Sequence, residues 1–460
     1  MTGPGRALPY PCPARDRCCC FSVPVNDMSK IKTNSSFLFI GNLVYAVCQW
    51  GMLVVYAKLG SPEVVGQFSL ASAILVPMVM FANLQLRAIQ ATDAADKYSL
   101  DDFMAIRMVS LGIFFCLVAV VGVLFYRENG VLPVLFVLAL AKGIEALNDV
   151  LYGYFQKHER MGFIARSMAI KGVSSLAIVA VIFHISKNLS LSLAALTLVW
   201  LGRMLFFDFP ALARFESGRY IYHGAGNFLG RILKSYVDRK VFLKEILANG
   251  ACLGMVMGLI SLNTSTPRYI VDRLLGSRDL GFFAAMAYTS VAIYMFVVAV
   301  GQATLPRLAR HFIDGDKAGF LKVLFRNIIV VVIYGSAGLV VVSFFGQKLL
   351  SIAYTKDYAA YNSVLILILL SSVVFSVASM LGYALTAIKC YVEQIPVFLA
   401  VILVNAALCY FLTPRFGLEG AAWGMVGGYA TQAVLSIFLL SRKMSGIRDV
   451  FKGNIDPATH

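Results

Sequence analysis

Three ionisable residues, Lys142, Glu145 and Asp149, fall at spacings of three and four inside the apolar run VLPVLFVLALAKGIEALNDVLYGYF. On a helix that spacing puts them along one face. A charge at the centre of a membrane span costs about 2.5–3.5 kcal/mol on insertion scales, and it persists where it meets protein or water. Two readings are open. One is an ion-pair stripe that neutralises itself and holds helices together; the other is a cavity lining in which Glu145 or Asp149 couples to an ion. Lys171 and Arg203 lie deep in two later apolar runs with no carboxylate at the same depth, although Asp208 is near the end of the second. Unpaired cations there call for an anionic ligand, a phosphate above all. The competing reading pairs Arg203 with Asp149 from a neighbouring helix. Arg273, with Arg268 and Asp272, stands ahead of a further run, as part of a gate or of a solvated loop. Arg87, Arg107 and Arg166 lie near ends of runs, within snorkelling reach of headgroups.

Other chemistry is poorly provided for. The chain has no GxxxxGK[ST] loop, no HExxH and no GxSxG, so neither an ATPase nor these hydrolase signatures are encoded. Five histidines are scattered without metal-ligand spacing. Cys48, Cys116, Cys252, Cys390 and Cys409 sit singly in apolar runs, where buried thiols are the ordinary reading; Cys12 and Cys18 to Cys20 have no spaced partner set for zinc. No metal, no cofactor and no catalysis are expected.

The elements that must carry these charges are membrane spans. Hydrophobic residues make up 59% of 460, charged residues 14%, and mean hydropathy is +0.77. A soluble domain does not have this composition. Runs of about 20 apolar residues, enough to cross a bilayer, give twelve spans: 37–57, 68–86, 106–126, 131–155, 163–184, 191–212, 242–263, 282–305, 328–345, 363–388, 395–412 and 420–440. The expected organisation is a leader (1–27), a six-helix lobe (28–212), a basic inter-lobe loop (213–241), a second six-helix lobe (242–441) and a tail (442–460). The net charge of +16 concentrates in loops, which speaks for topology and lipid headgroups rather than nucleic acid. Arg214, Arg219, Arg231, Lys234, Arg239 and Lys240 face only Glu216 and Asp238 in the central loop. The positive-inside rule then makes that loop, the tail and both termini cytoplasmic. The leader carries five prolines and no apolar signal-peptide core, and Met28 is the expected natural start.

The halves echo one another. LGSPEVVGQF follows the first span from Leu59, and LGSRDLGFF follows the seventh from Leu275. A duplicated fold with a central substrate site between two lobes related by a pseudo-two-fold axis is implied. Pro77 should kink the second span. Gly250, Gly254 and Gly258 share one face of the seventh span, and Gly420, Gly424 and Gly428 one face of the twelfth. Close packing is expected for the twelfth, and bending during a conformational cycle for the seventh.

LGSPEVVGQFSLASA, GYFQKHERMGFIARSMAIKG and the stretch from Gly382 to Gly424 resemble polysaccharide flippases of the Wzx type, which act in O-antigen and exopolysaccharide synthesis. Their superfamily includes multidrug and toxic-compound extruders and the lipid II flippase. The resemblance covers Met28 to Met444. It implies an all-α integral membrane protein of the bacterial inner membrane, working by alternating access without an ATPase and driven by an ion gradient or the membrane potential. The implied cargo is an undecaprenyl-diphosphate-linked oligosaccharide, and the implied partners are membrane lipids, a polysaccharide polymerase and chain-length proteins. The resemblance fixes no role for Lys142, Lys171 or Arg203. An ion-coupled drug extruder using Glu145 or Asp149, and a non-transporting scaffold of a polysaccharide-assembly complex, are the alternatives.

Overall fold

A computed structural model describes residues 25–93, 96–127, 130–215 and 240–452. The expectations for residues 1–24, for the basic stretch 216–239 and for 453–460 lie outside the described residues. Within them all regular structure is helical. The first half holds α1 (Val25–Leu59), α2 (Pro62–Asn83), α3 (Leu86–Thr92), α4 (Leu100–Phe125), α5 (Leu132–Lys157), α6 (Met161–Ser186), α7 (Leu189–Arg203), a π-helical turn (Met204–Asp208) and α8 (Phe209–Phe215). The second holds α9 (Lys240–Leu275), α10 (Ser277–Tyr288), α11 (Val291–Ile313), α12 (Lys317–Ala353), α13 (Lys356–Ala359), α14 (Asn362–Ala387) and α15 (Gln394–Lys452).

Among the described residues, ten segments are long and apolar enough to cross a membrane. α5 falls outside those ten because Lys142, Glu145 and Asp149 interrupt it, yet it has their length. Gln394–Met444 counts once in the ten, although Gly417 (φ 59°, ψ −138°) breaks α15 into two halves. Adding α5 and the second half of α15 to the ten gives twelve. The halves of α15 lie antiparallel, since Gly420, Gly424 and Gly428 approach Leu412, Cys409 and Asn405 in turn. Close packing is therefore what the glycine face of the twelfth span provides. The eighth span is two helices rather than one. α10 and α11 part at Thr289, whose hydroxyl bonds back to the Met286 carbonyl (2.6 Å).

Each half packs on itself first. α1 lies along α6, and α5 lies among α4, α7 and α3; α9 and α14 lie along α15, with α12 against α14. The seam between halves is α2 against α9 and α10. Large apolar side chains such as Ile185, Phe206 and Phe344 point outward, as lipid-facing surfaces require. Cys116 and Cys252 are exposed on such faces; the expectation of burial holds for Cys48, Cys390 and Cys409.

The echoed motifs meet each other. A Cβ on Gly66 would overlap the carbonyl oxygen of Ser277, and one on Gly281 would overlap that of Pro62. Each repeat thus uses its glycine to admit the first turn of the other, a reciprocal contact at the end of the molecule where α1 and α9 finish. Trp50 Nε1 donates to Tyr354 Oη (2.9 Å) and Lys58 Nζ to the Ile352 carbonyl (2.7 Å) at the same end. Farther along the seam, Gly250 and Gly254 lie against the Leu84 backbone and Gly258 against the Phe81 ring. Helix α2 runs through Pro77 without ending. Its break comes at Leu84 and Gln85, both left-handed at φ 49°.

Candidate functional site

Facing inward from α5, α2 and α6 is a cavity of about 250 Å³, whose polar walls are Asn83, Arg87, Lys142, Glu145, Asp149 and Lys171. The α5 stripe supplies three of these because residues i, i+3 and i+7 return to one helix face. Glu145 is the hub of its upper part. It accepts from Lys142 Nζ (2.7 Å), from Lys171 Nζ and from Tyr45 Oη (2.9 Å). Lys171 also stands over the Trp200 ring, 3.8 Å from its centroid, and 4.8 Å from that of Tyr45. Cation–π attraction of this kind stabilises an ammonium that has left water.

Asp149 anchors the other part. Arg87 Nη1 and Arg107 Nη2 each lie 3.6 Å from its carboxylate oxygens. Arg107 is fully buried and donates to Asn83 Oδ1 (2.7 Å), while its Nε and Nη2 make no hydrogen bond. Arg87 Nε donates to Gln156 Oε1 (2.9 Å). Four cations, Arg87, Arg107, Lys142 and Lys171, share two carboxylates, Glu145 and Asp149, so the cluster holds two positive charges in excess. Uncommitted guanidinium donors and a net positive cavity are suited to an oxyanion.

Arg203 belongs elsewhere. It pairs at 2.7 Å with Asp208, which is fully buried, and contacts Ser167 and Tyr152 Oη (3.1 Å). Asn148 completes the network, its oxygen accepting from Arg203 Nη2 (2.7 Å) and its nitrogen donating to Asp208 (3.1 Å). The π turn at Met204–Asp208 explains the pairing. Residues five apart diverge on an α-helix, whereas the wider i→i+5 turn brings them together. The expectation of an unpaired Arg203 is thus corrected, as is that of a pair with Asp149. The same correction applies to Lys171, whose partner Glu145 comes from α5. Arg273 is exposed in the last turn of α9, away from the cavity.

Arg87 and Arg107 are the residues that sequence reasoning set aside as snorkelling. The signal lay in the start of α4. The helix begins at Leu100, with Ser99 and Asp102 forming a capping box, so Arg107 stands seven residues in, about 10 Å deep. That N-cap pattern was readable in SLDDF.

The match to known families falls on the segment that builds this cavity. A family model described as "Polysaccharide biosynthesis protein" matches residues 31–312, more than half of the chain. The chain belongs to this polysaccharide biosynthesis protein family. It is 28% identical over 389 residues to the capsular polysaccharide biosynthesis protein CapF of Staphylococcus aureus, covering 85% of this chain and 94% of that protein. Among solved structures it resembles an inward-facing multidrug resistance MATE transporter of the MOP superfamily (TM-score 0.72, 12% identity, 88% of this chain and 96% of the other). An outward-facing transporter of the same kind is matched at TM-score 0.59, with 14% identity, 91% and 96% coverage. A MOP superfamily transporter from Pyrococcus furiosus, described as having a binding pocket of reversed polarity, is matched at TM-score 0.57, again at 14% identity and 91% and 96% coverage. These likenesses establish the two-lobed fold, and with its long apolar helices this member of the polysaccharide biosynthesis protein family is a multi-pass membrane protein.

Proposed function

We propose that this protein flips undecaprenyl-diphosphate-linked oligosaccharide units across the bacterial cytoplasmic membrane by alternating access. The observation that carries the reading is the cavity lined by three cations, Arg87, Lys142 and Lys171, against two carboxylates, with Arg107 buried behind Asp149. A diphosphate brings several oxygen acceptors and negative charge, and Arg87, Lys142 and Lys171 line one cavity with donors. The family supplies the polysaccharide context. With the basic loops and termini cytoplasmic, the glycine-closed end of the seam lies at the outer face, and the diphosphate enters from the cytoplasmic side. An ion-coupled extruder fits less well, because Glu145 and Asp149 are each held by two cations and neither is an open acid.

Cells lacking the protein test this. Their lipid-linked oligosaccharide should accumulate where a glycosidase added to spheroplasts does not reach it. Wild type should restore exposure, and Lys171→Gln together with Arg87→Gln should fail to, while still reaching the membrane in normal amount. An unchanged lipid-linked pool in the deletion strain, with newly gained drug sensitivity, would remove the flippase reading in favour of the extruder.

A further inference from the structure

Helix α2 has two faces, and the cation cavity uses one of them. Val79, Met80 and Asn83 line that cavity. Met78, Phe81 and Ala82 turn to the other side, where they floor an apolar crevice of about 450 Å³. One wall is α4, through Val109, Ile113 and Leu117, and the other is α9, through Leu247. These four wall residues are exposed, so the crevice opens sideways onto the apolar surface that faces lipid. Its walls come from different halves of the molecule, α4 from the first and α9 from the second.

Two observations decide what such a crevice takes. The first is its length. The apolar part runs along α4 from Ile106 to Leu117, about 16 Å of helix and close to half of the roughly 30 Å hydrocarbon core. Met78 and Phe81 then part it from a smaller apolar pocket of about 250 Å³ toward Tyr126 and Tyr269. A chain lying in the crevice therefore fills one leaflet. The second is Lys244, the one charged residue in the lining, in the second turn of α9. It is exposed and, among the described residues, has no ion pair and no hydrogen bond. The neighbouring Glu245 is already taken by Lys97, whose Nζ lies 2.6 Å from Oε1 and 2.7 Å from Oε2. That pair joins the loop ahead of α4 to the start of α9, at the end of the crevice where Lys244 stands. The lysine stem lies along the apolar surface and its ammonium reaches headgroup level.

We propose that this crevice is a binding site for one phospholipid of net negative charge, with an acyl chain between α4 and α9 and its phosphate on Lys244. In the orientation given above the lipid belongs to the cytoplasmic leaflet; the site itself does not depend on what the cation cavity carries. A lysine without a counter-charge at the membrane surface favours an anionic headgroup over a zwitterionic one. The tail of the proposed cargo fits less well. Its diphosphate finds its cations on the opposite face of α2, and an undecaprenyl chain is far longer than one leaflet is deep. Because the phospholipid touches both halves, its binding stabilises the arrangement of the halves that forms the crevice.

The test is native mass spectrometry of the delipidated full chain with three probes: phosphatidylglycerol, phosphatidylcholine with the same acyl chains, and undecaprenyl phosphate. Wild type should hold one phosphatidylglycerol at least 5-fold more tightly than phosphatidylcholine, and phosphatidylglycerol should raise its melting temperature more. Lys244→Gln should bring the two phospholipids within twofold of each other, and Lys244→Arg should keep the preference. Ile113→Trp, which fills the crevice from an exposed position on its wall, should weaken phosphatidylglycerol at least 5-fold. If that variant does not retain the wild-type melting profile, Leu247→Trp on the opposite wall decides. Equal binding of the two phospholipids by wild type, an unchanged preference in Lys244→Gln, or unchanged affinity with the crevice filled overturns the proposal. Displacement of phosphatidylglycerol by equimolar undecaprenyl phosphate also overturns it, and gives the crevice to the tail of the cargo. A failed spheroplast assay beside an intact phosphatidylglycerol preference counts against the flippase reading alone.

Discussion

Arg203 and Lys171 look alike in the sequence, each a lone cation deep in an apolar run, and the structure gives them different work. Arg203 is locked to Asp208 inside a network of Ser167, Tyr152 and Asn148, of which Tyr152 alone borders the cavity. Removing one member of such a buried pair strands the other, at a cost of about 3–5 kcal/mol. Arg203→Ala should therefore lower the melting temperature sharply in detergent. The double variant Arg203→Leu/Asp208→Leu should recover much of that loss, since an apolar pair of similar volume carries no stranded charge. A single variant that melts like wild type but does not transport would place Arg203 in the substrate path instead. Lys171 has Glu145 beside it and Lys142 sharing that carboxylate, so Lys171→Gln leaves Glu145 partnered and should change stability less than Arg203→Ala. No residue type separates these two cases. What separates them is the π turn, a backbone feature five residues long that hydrophobic periodicity does not report.

At the scale of helices, most of the architecture was legible because bilayer thickness sets a length that composition can count. The twelve runs and the echoed LGS motifs follow from local sequence. What was not legible depends on which helix lies next to which. Arg107 reads as terminal until the Ser99 cap moves the start of α4 back to Leu100. The eighth span reads as continuous because Thr289 and Ser290 do not interrupt its hydropathy. The glycines of α9 read as a hinge, yet each is occupied by the end of α2, with Leu84 backbone against Gly250 and Gly254. Filling such a contact forces the helices apart and typically costs about 1–3 kcal/mol. Gly254→Leu should then lower thermal stability by that order. Gly254→Ala, which adds one methyl group against backbone that must yield by a few tenths of an ångström, should fall between. Loss of transport in Gly254→Leu without loss of stability would restore the hinge reading.

For the whole molecule, the reciprocal seating of Gly66 on Ser277 and Gly281 on Pro62 joins the duplicated sequence to the proposed alternation between two states. A contact made by equivalent turns of two repeats is two-sided, so it opens only when both lobes move together as bodies. Tight packing of backbone on backbone has few intermediate arrangements, which favours two discrete states over a gradual opening. Glu63 and Arg278, exposed at the same turns, lie 3.7 Å apart and report whether the end is shut. In a background lacking the other cysteines, Glu63→Cys/Arg278→Cys should cross-link under mild oxidation. The oxidised protein should stop moving lipid-linked glycan, and reductant should restore it. Adding Gly66→Leu should cut the cross-linked fraction severalfold, because the side chain overlaps the Ser277 carbonyl and holds the end open. Should the oxidised pair transport at the wild-type rate, the Gly66–Ser277 end is a fixed girdle and the lobes move about some other contact.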